Sequence, residues 1–192
     1  MTEQRKKKFL SVLRRRQPNL TIVMEDIHDP HNVSAMLRSA DAAGVLEVQL
    51  VYVNEKFPKL GRKSSASANK WIAKNSYKSI NDCYEDLHDK GFLICATHLG
   101  TTSQSLYDLD LTGKVALVFG NEHRGVSSEA AKLADANFQI PMMGMIQSLN
   151  VSVACAVSLY EALRQRQQKG MYTSPSLAPA PLKKLFNEWK KK

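Results

Sequence analysis

The chain of 192 residues has no apolar run approaching the roughly 18 residues that a transmembrane helix needs. Its basic opening, Met1 to Lys8, is not followed by an apolar stretch, so no signal peptide is expected. Cysteine is scarce: Cys83, Cys95 and Cys155 are odd in number, far apart and without a C-x-x-C pair. That argues against a disulfide framework or a zinc site and points to a reducing cytoplasm, with the three thiols serving as small buried hydrophobes. There is no G-x-G-x-x-G after a strand, no G-x-x-x-x-G-K-[ST], no H-E-x-x-H and no G-x-S-x-G. His28, His31, His88, His98 and His123 are scattered without metal-ligand spacing, and no metal is expected.

What is present is charge at both ends. Residues 1–20 carry seven Lys/Arg against Glu3, a net +6, and residues 161–192 carry eight against Glu161 and Glu188, again +6. The middle, with twelve basic and fifteen acidic residues, stands at −3 of the overall +9. An acidic body between basic ends suggests a catalytic core with polyanion-binding arms, although solvated termini would give the same count.

The pattern is that of one α/β domain. Residues 3–16 read as a helix that ends at Gln17-Pro18-Asn19, and Leu20 to Met24 as a buried strand. Asp29-Pro30 opens a helix that Gly44 closes. Strands are expected at 46–53, 92–97, 114–119 and 138–140, and helices near 64–70, 79–89 and 127–134. Their alternation predicts a mostly parallel sheet with helices on both faces. The divisions expected are a basic helical arm at 1–19, a domain at 20–169, and a basic extension at 170–192 with a helix over 181–190. The helix from Asn150 is apolar nearly all round for two turns and then wholly polar from Arg164 to Lys169. Such a helix must be buried on every side, which predicts a homodimer with this helix at the interface.

Three polar segments lie at element boundaries. The first, His31 to Asp41, admits a bland reading in which Asn32 is a cap and Arg38–Asp41 an intrahelical pair. In the second, Phe119-Gly120-Asn121-Glu122-His123-Arg124-Gly125-Val126-Ser127, a strand enters a charged turn between two glycines, followed by a helix capped by Ser127 or Ser128. The third, Ile140 to Ser152, delivers Ser148 and Asn150 to the start of the apolar helix, where both are candidate caps.

Taken together, the three segments resemble the motifs of the SpoU/TrmH group of SPOUT methyltransferases: N-x-x-A-x-x-R at Asn32–Arg38, F-G-N-E-x-x-G at Phe119–Gly125, and I-P-M-x-G-x-x-x-S-L-N-V at Ile140–Val151. The resemblance spans about residues 17–172. Arg16-Gln17-Pro18-Asn19-Leu20 and the R-Q-R-Q-x-x-G-M-Y run ending at Tyr172 narrow it to enzymes that methylate the ribose 2′-OH of the tRNA D-loop guanosine at position 18. The resemblance implies a SPOUT-type α/β fold, a mostly parallel sheet with a deep C-terminal trefoil knot, and S-adenosylmethionine bound in the knot. Thr97, His98, Leu99, Gly100, Gly120, Ile140, Met145 and Leu149 would hold that donor. Asn32, Arg38, Glu122, Ser148 and Asn150 would be the catalytic and positioning set. Arg38 would either act as general base or orient the 2′-hydroxyl and stabilise its developing charge; an ordinary arginine, with a pKa above about 12, favours the second.

The basic arms then acquire a role in gripping tRNA phosphates: Arg5, Lys6, Lys7, Lys8, Arg14, Arg15, Arg16, Arg164, Arg166 and Lys169, with Lys183, Lys184 and the Lys190–Lys192 tail. The alternatives are a ribosomal RNA 2′-O-methyltransferase sharing the same site, which the short segment before the first strand disfavours, and a catalytically silent RNA-binding module, which the intact motifs disfavour. A DNA- or membrane-binding protein would leave the motifs unexplained.

Overall fold

The computed structural model describes residues 1–60, 68–101 and 103–192. Among the described residues seven strands form one sheet, every paired neighbour parallel: β1 (Leu20–Glu25), β2 (Glu47–Val51), β3 (Ala73–Tyr77), β4 (Leu93–Thr97), β5 (Gln104–Ser105), β6 (Val115–Phe119) and β7 (Ala136–Gln139). Their order is β3-β2-β1-β6-β4-β7-β5. The polypeptide lays down β1, β2 and β3 outward and then crosses to β4. Later it inserts β6 between β1 and β4, and β7 between β4 and β5. The central strands β1 (LTIVME) and β6 (VALVF) are buried at every position, as expected for parallel strands covered on both faces.

The helices are α1 (Glu3–Leu13), α2 (Pro30–Ala42), α3 (Ala68–Trp71), α4 (Ile80–Asp89), α5 (Ser128–Leu133), α6 (Val151–Gln168) and α7 (Pro179–Trp189). On one face of the sheet Met36, Leu37 and Ala40 of α2 and Cys155, Leu159 and Ala162 of α6 pack against Leu20, Ile22 and Met24. On the other, Ile80, Cys83 and Leu87 of α4 and Ala130 of α5 cover Val23, Ile94 and Val118. The two ends of the polypeptide meet: Phe9 of α1 lies 5.7 Å edge-on to Trp189 of α7 and 5.4 Å from Trp71 of α3.

Local signals explain the boundaries. The Asp29 side chain accepts from His31 N at 2.8 Å, Pro30 takes the first turn, and Gly44 leaves the helix at φ 85°. A Cβ at Gly44 would stand 2.7 Å from the Arg15 carbonyl. Ser79 and Ser127 cap α4 and α5. The expected helix near 64–70 is seen as α3; its residues 64–67 lie outside the described ones. β3 and the two-residue β5 were not expected. β3 is an edge strand of mostly exposed polar residues, and β5 is too short to show a period.

Candidate active site

Four strands, β1, β6, β4 and β7, bring their carboxyl ends to one edge of the sheet, where ligand sites form in parallel α/β architectures. At the end of β1, Asp26 adopts a left-handed conformation at φ 51°, an arrangement that costs a non-glycine residue about 1–2 kcal/mol. Hydrogen bonds offset it. The buried Asp26 carboxylate accepts from the backbone amides of Val53 (2.9 Å), Asn54 (3.3 Å) and Glu55 (3.2 Å) and from Asn54 Nδ2 (2.9 Å). Its carbonyl accepts from Asn121 Nδ2 at 2.8 Å. Asp26 thus ties the segment after β2 and the turn after β6 to the approach of α2.

That turn, residues 120–125, is rigid for steric reasons. A Cβ on Gly120 would sit 2.1 Å from backbone atoms of Gly125 and Val126, so only glycine fits. Gly125 N donates to Asn121 O at 2.8 Å, Asn121 Oδ1 accepts from His123 N at 2.9 Å, and Gly125 takes φ 70°. From this turn Glu122 reaches the start of α2. One carboxylate oxygen accepts from His28 N (3.0 Å), the other from Asp29 N (3.1 Å) and Asn32 Nδ2 (2.9 Å). Burial by itself would push the Glu122 carboxyl up. The Asn32 amide and the backbone amides of His28, Glu122 and Asp29 outweigh it and hold the group below its ordinary value. Asn32 Oδ1 in turn accepts from Asn150 Nδ2 at 3.1 Å, and Asn150 Oδ1 caps α6 through Ser152 N at 2.9 Å. The three sequence segments, far apart along the sequence, therefore meet in one hydrogen-bonded line.

A cavity of about 730 Å³ adjoins this line. Among the residues expected to hold a donor molecule, Thr97, His98, Leu99, Gly120, Ile140 and Leu149 line it, as do Glu122, Ser148 and Asn150 from the expected catalytic set. Gly100 and Met145 are outside the wall; Met145 is 99 % exposed. The wall also contains His123 and Arg124, which the motif leaves open and no sequence pattern singles out. Its floor is apolar, with Phe119, Phe138 and Ala154. Arg38 stands apart: it is exposed on α2 and outside the cavity wall. The bland reading of α2 is corrected on both counts. Asp29 rather than Asn32 is the cap, and Asp41 pairs with Arg16 (2.5 Å) rather than with Arg38.

Two arginines expected on an RNA-gripping surface are buried in the core. Arg16 donates to Asp41 and to Val45 O (2.8 Å) beneath the Trp189 ring. Arg166 donates to the carbonyls of Leu111 (2.9 Å), Asn19 (3.0 Å) and Gly113 (2.6 Å) and to Asn19 Oδ1 (2.5 Å). Burial pushes the Arg166 guanidinium down to about 10. Both fasten the polypeptide below the sheet and are shielded from any phosphate outside, which corrects their assignment. Arg5, Lys7, Lys8, Arg14, Arg15, Arg164 and Lys169 lie at the surface and Lys6 is half-buried; Arg164 pairs with Glu161 at 2.7 Å, and Lys169 donates to Thr112 Oγ1 at 2.7 Å. Cys83, Cys95 and Cys155 are all free and buried. Among the described residues no group of three or more His, Cys, Asp or Glu side chains gathers as a metal site would require, and no helix is long and apolar enough to cross a membrane.

Comparison with known proteins agrees with this geometry. The family model described as the SpoU rRNA methylase family matches residues 19–160. A tRNA (guanosine(18)-2′-O)-methyltransferase of Thermus thermophilus is 43% identical over 191 residues, covering 100% of this chain and 98% of that one. The crystal structure of the A. aeolicus TrmH/SpoU tRNA modifying enzyme superposes with a TM-score of 0.92 at 38% identity, over 97% of this chain and 95% of that one. The AdoMet-bound rRNA methyltransferase from Sinorhizobium meliloti gives a TM-score of 0.61 at 27% identity, over 81% of this chain and 59% of that one. With its fold, its three convergent motifs and the matched residues in accord, the protein belongs to the SpoU rRNA methylase family.

Proposed function

We propose that the protein transfers a methyl group from S-adenosylmethionine to the ribose 2′-OH of the guanosine at position 18 of tRNA. The observation that carries this reading is the joining of Asn32, Glu122 and Asn150 beside the cavity, in a sequence whose match to a tRNA (guanosine(18)-2′-O)-methyltransferase runs end to end. The cavity suits the donor: its volume lies within the range of roughly 300–1,000 Å³ usual for cofactor sites, and its apolar floor beside polar strand ends fits a flat base with a polar tail. When bound, S-adenosylmethionine supplies a methyl group already activated on a sulfonium. The strand ends at Thr97–Leu99, Gly120 and Ile140, with Leu149, would hold it, and Ser148 and Asn150 would shape the wall beside α6. No metal is assigned a part, because positioning and a charged donor can supply most of the acceleration.

Asn32 has both ends of its amide committed, so its role is to lock the start of α2 against the Glu122 turn rather than to touch ribose. From its place in the motif Arg38, exposed on α2, is assigned to orienting the 2′-hydroxyl and its adjacent phosphate and to stabilising the oxyanion as the proton passes to solvent water. The exposed cations of α1, with Arg164, Lys169 and the Lys190–Lys192 end, would hold tRNA phosphates.

Val153 and Tyr160, 46 % and 53 % exposed, form with half-buried Ala156 and Val157 an apolar stripe at helical spacing on α6. The exposed Met143, Met145 and Ile146 adjoin it in sequence, and a second copy of the protein is the occupant that would cover them. The segment following β7 would thread a loop formed by earlier residues as a trefoil knot. A substrate of this class, with three free thiols, fits a cytoplasmic setting. The direct test supplies labelled S-adenosylmethionine with tRNA transcripts and, separately, ribosomal RNA, and then maps the methylated nucleotide. Label at guanosine 18 is expected; label confined to ribosomal RNA would replace the substrate while keeping the chemistry.

A further inference from the structure

We infer that Arg124 is a substrate-binding residue that takes a phosphate of the RNA backbone at the mouth of the cavity. This inference rests on the RNA methyltransferase reading and adds a contact that the motif, open at positions 123 and 124, leaves unassigned.

Arg124 springs from the turn fixed by Gly120 packing on Gly125, by the Asn121 side chain on Asp26 O, and by the Gly125–Asn121 backbone bond. The same turn sends Glu122 inward to the start of α2, while Arg124 lines the cavity with its side chain 55 % exposed. Among the described residues its polar partner is Asp26 Oδ2, at 3.5 Å, which is long for a charge-assisted hydrogen bond. That carboxylate is already supplied by three backbone amides and Asn54 Nδ2. The contact therefore aims the guanidinium without consuming it. Most of its five N–H donors remain open toward solvent, in a planar fork that matches a phosphate.

An arginine so placed has little value for folding. A half-exposed ion pair contributes little to stability, and turn rigidity comes from the glycines and Asn121. Its placement is useful for a ligand that approaches from outside and must be registered against the site. The target ribose carries a phosphate on each side, so an anchored phosphate at the rim would fix the sugar relative to Glu122, Asn150 and the donor. The carboxylate of S-adenosylmethionine is the competing anion. The exposure of the Arg124 side chain at the rim favours the RNA, and the experiment separates the two.

The test measures tRNA affinity across a salt series for wild type, Arg124→Gln and Arg124→Lys, and S-adenosylmethionine affinity by calorimetry for each. Arg124→Gln is expected to weaken tRNA binding roughly fivefold and to reduce the slope of log affinity against log salt by about one, with donor affinity and Tm unchanged. Arg124→Lys should retain the slope while losing part of the affinity, since lysine keeps the charge and not the fork. Unchanged tRNA affinity and slope in Arg124→Gln would overturn the proposal while leaving the enzyme reading intact. Weakened donor binding with unchanged tRNA binding would overturn it in favour of the carboxylate. Wild type that binds no tRNA at any salt would overturn this proposal together with the functional reading.

Discussion

Replacing Glu122 with glutamine probes the junction on which the site depends. One carboxylate oxygen accepts from His28 N, the other from Asp29 N and Asn32 Nδ2. A glutamine carbonyl can take the pair, but its NH2 then opposes the His28 amide, donor against donor. Hydrogen bonds to a charged acceptor contribute about 1.5–3 kcal/mol each; with one lost and two made neutral at a partly exposed position, the net loss is about 1–2 kcal/mol. For a protein of this size that corresponds to a fall in Tm of roughly 2–8 °C. The loss must also depend on pH. The carboxyl is held below its ordinary 4.5, so its contribution is complete above that value and fades as pH falls through the lowered one. The Tm gap between wild type and Glu122→Gln should be widest near neutrality and should close in acid. Scanning calorimetry of both proteins from neutral pH downward measures it, and a gap that is absent, or constant into acid, would refute this account of Glu122. Methyl transfer by Glu122→Gln should fall by more than the loss of folded protein accounts for, because His28 N loses its acceptor and the bond from Asn32 becomes a neutral, weaker one.

Other substitutions separate the elements of the account. Gly120→Ala places a methyl 2.1 Å from backbone atoms and should destabilise by more than about 3 kcal/mol or leave the turn misfolded, seen as lost donor binding in calorimetry. Arg166→Ala empties a buried site and strands the carbonyls of Leu111, Asn19 and Gly113, the first of them buried, and should cost about 3–5 kcal/mol, whereas Arg164→Ala at the exposed pair should cost under about 1; paired melts decide it. Tyr160→Glu, in the apolar stripe of α6, should shift the protein from dimer to monomer in light scattering at micromolar concentration, and a wild-type monomer would remove the dimer from the account. Chelator added to pre-folded tRNA should leave methyl transfer unchanged; loss of activity restored by a divalent ion would contradict the metal-free reading.

Much of the architecture is legible before any coordinate is seen, where local chemistry and burial agree. β6 is a short unbroken apolar run, β1 is mostly apolar with Thr21 and Glu25 near its ends, and α2 is bracketed by Asp29-Pro30 and Gly44. Legibility fails where tertiary context overrides local character. β3 is strand-forming only because β2 offers it an edge, so its Ala-Lys-Asn-Ser-Tyr has no apolar alternation. Arg16 and Arg166 look like members of basic clusters, yet each falls in step with a buried row: Cys155, Leu159, Ala162, Arg166 within α6, and Phe9, Leu13, Arg16, where the spacing runs on past the end of α1 at Leu13. That periodicity is the signal that could have found them. At the site, sequence patterns identify Asn32, Glu122 and Asn150, while their line of hydrogen bonds requires the fold. Arg124 is invisible to pattern because only the turn geometry turns it toward the cavity.

The measurement that tests the central claim most directly is methyl transfer to a tRNA transcript beside the same transcript with 2′-deoxyguanosine at position 18. Label on the first, none on the second, and none on either with Arg38→Ala would establish the reaction, its acceptor atom and its principal residue. Equal label on both transcripts would place the methyl group elsewhere and contradict the account.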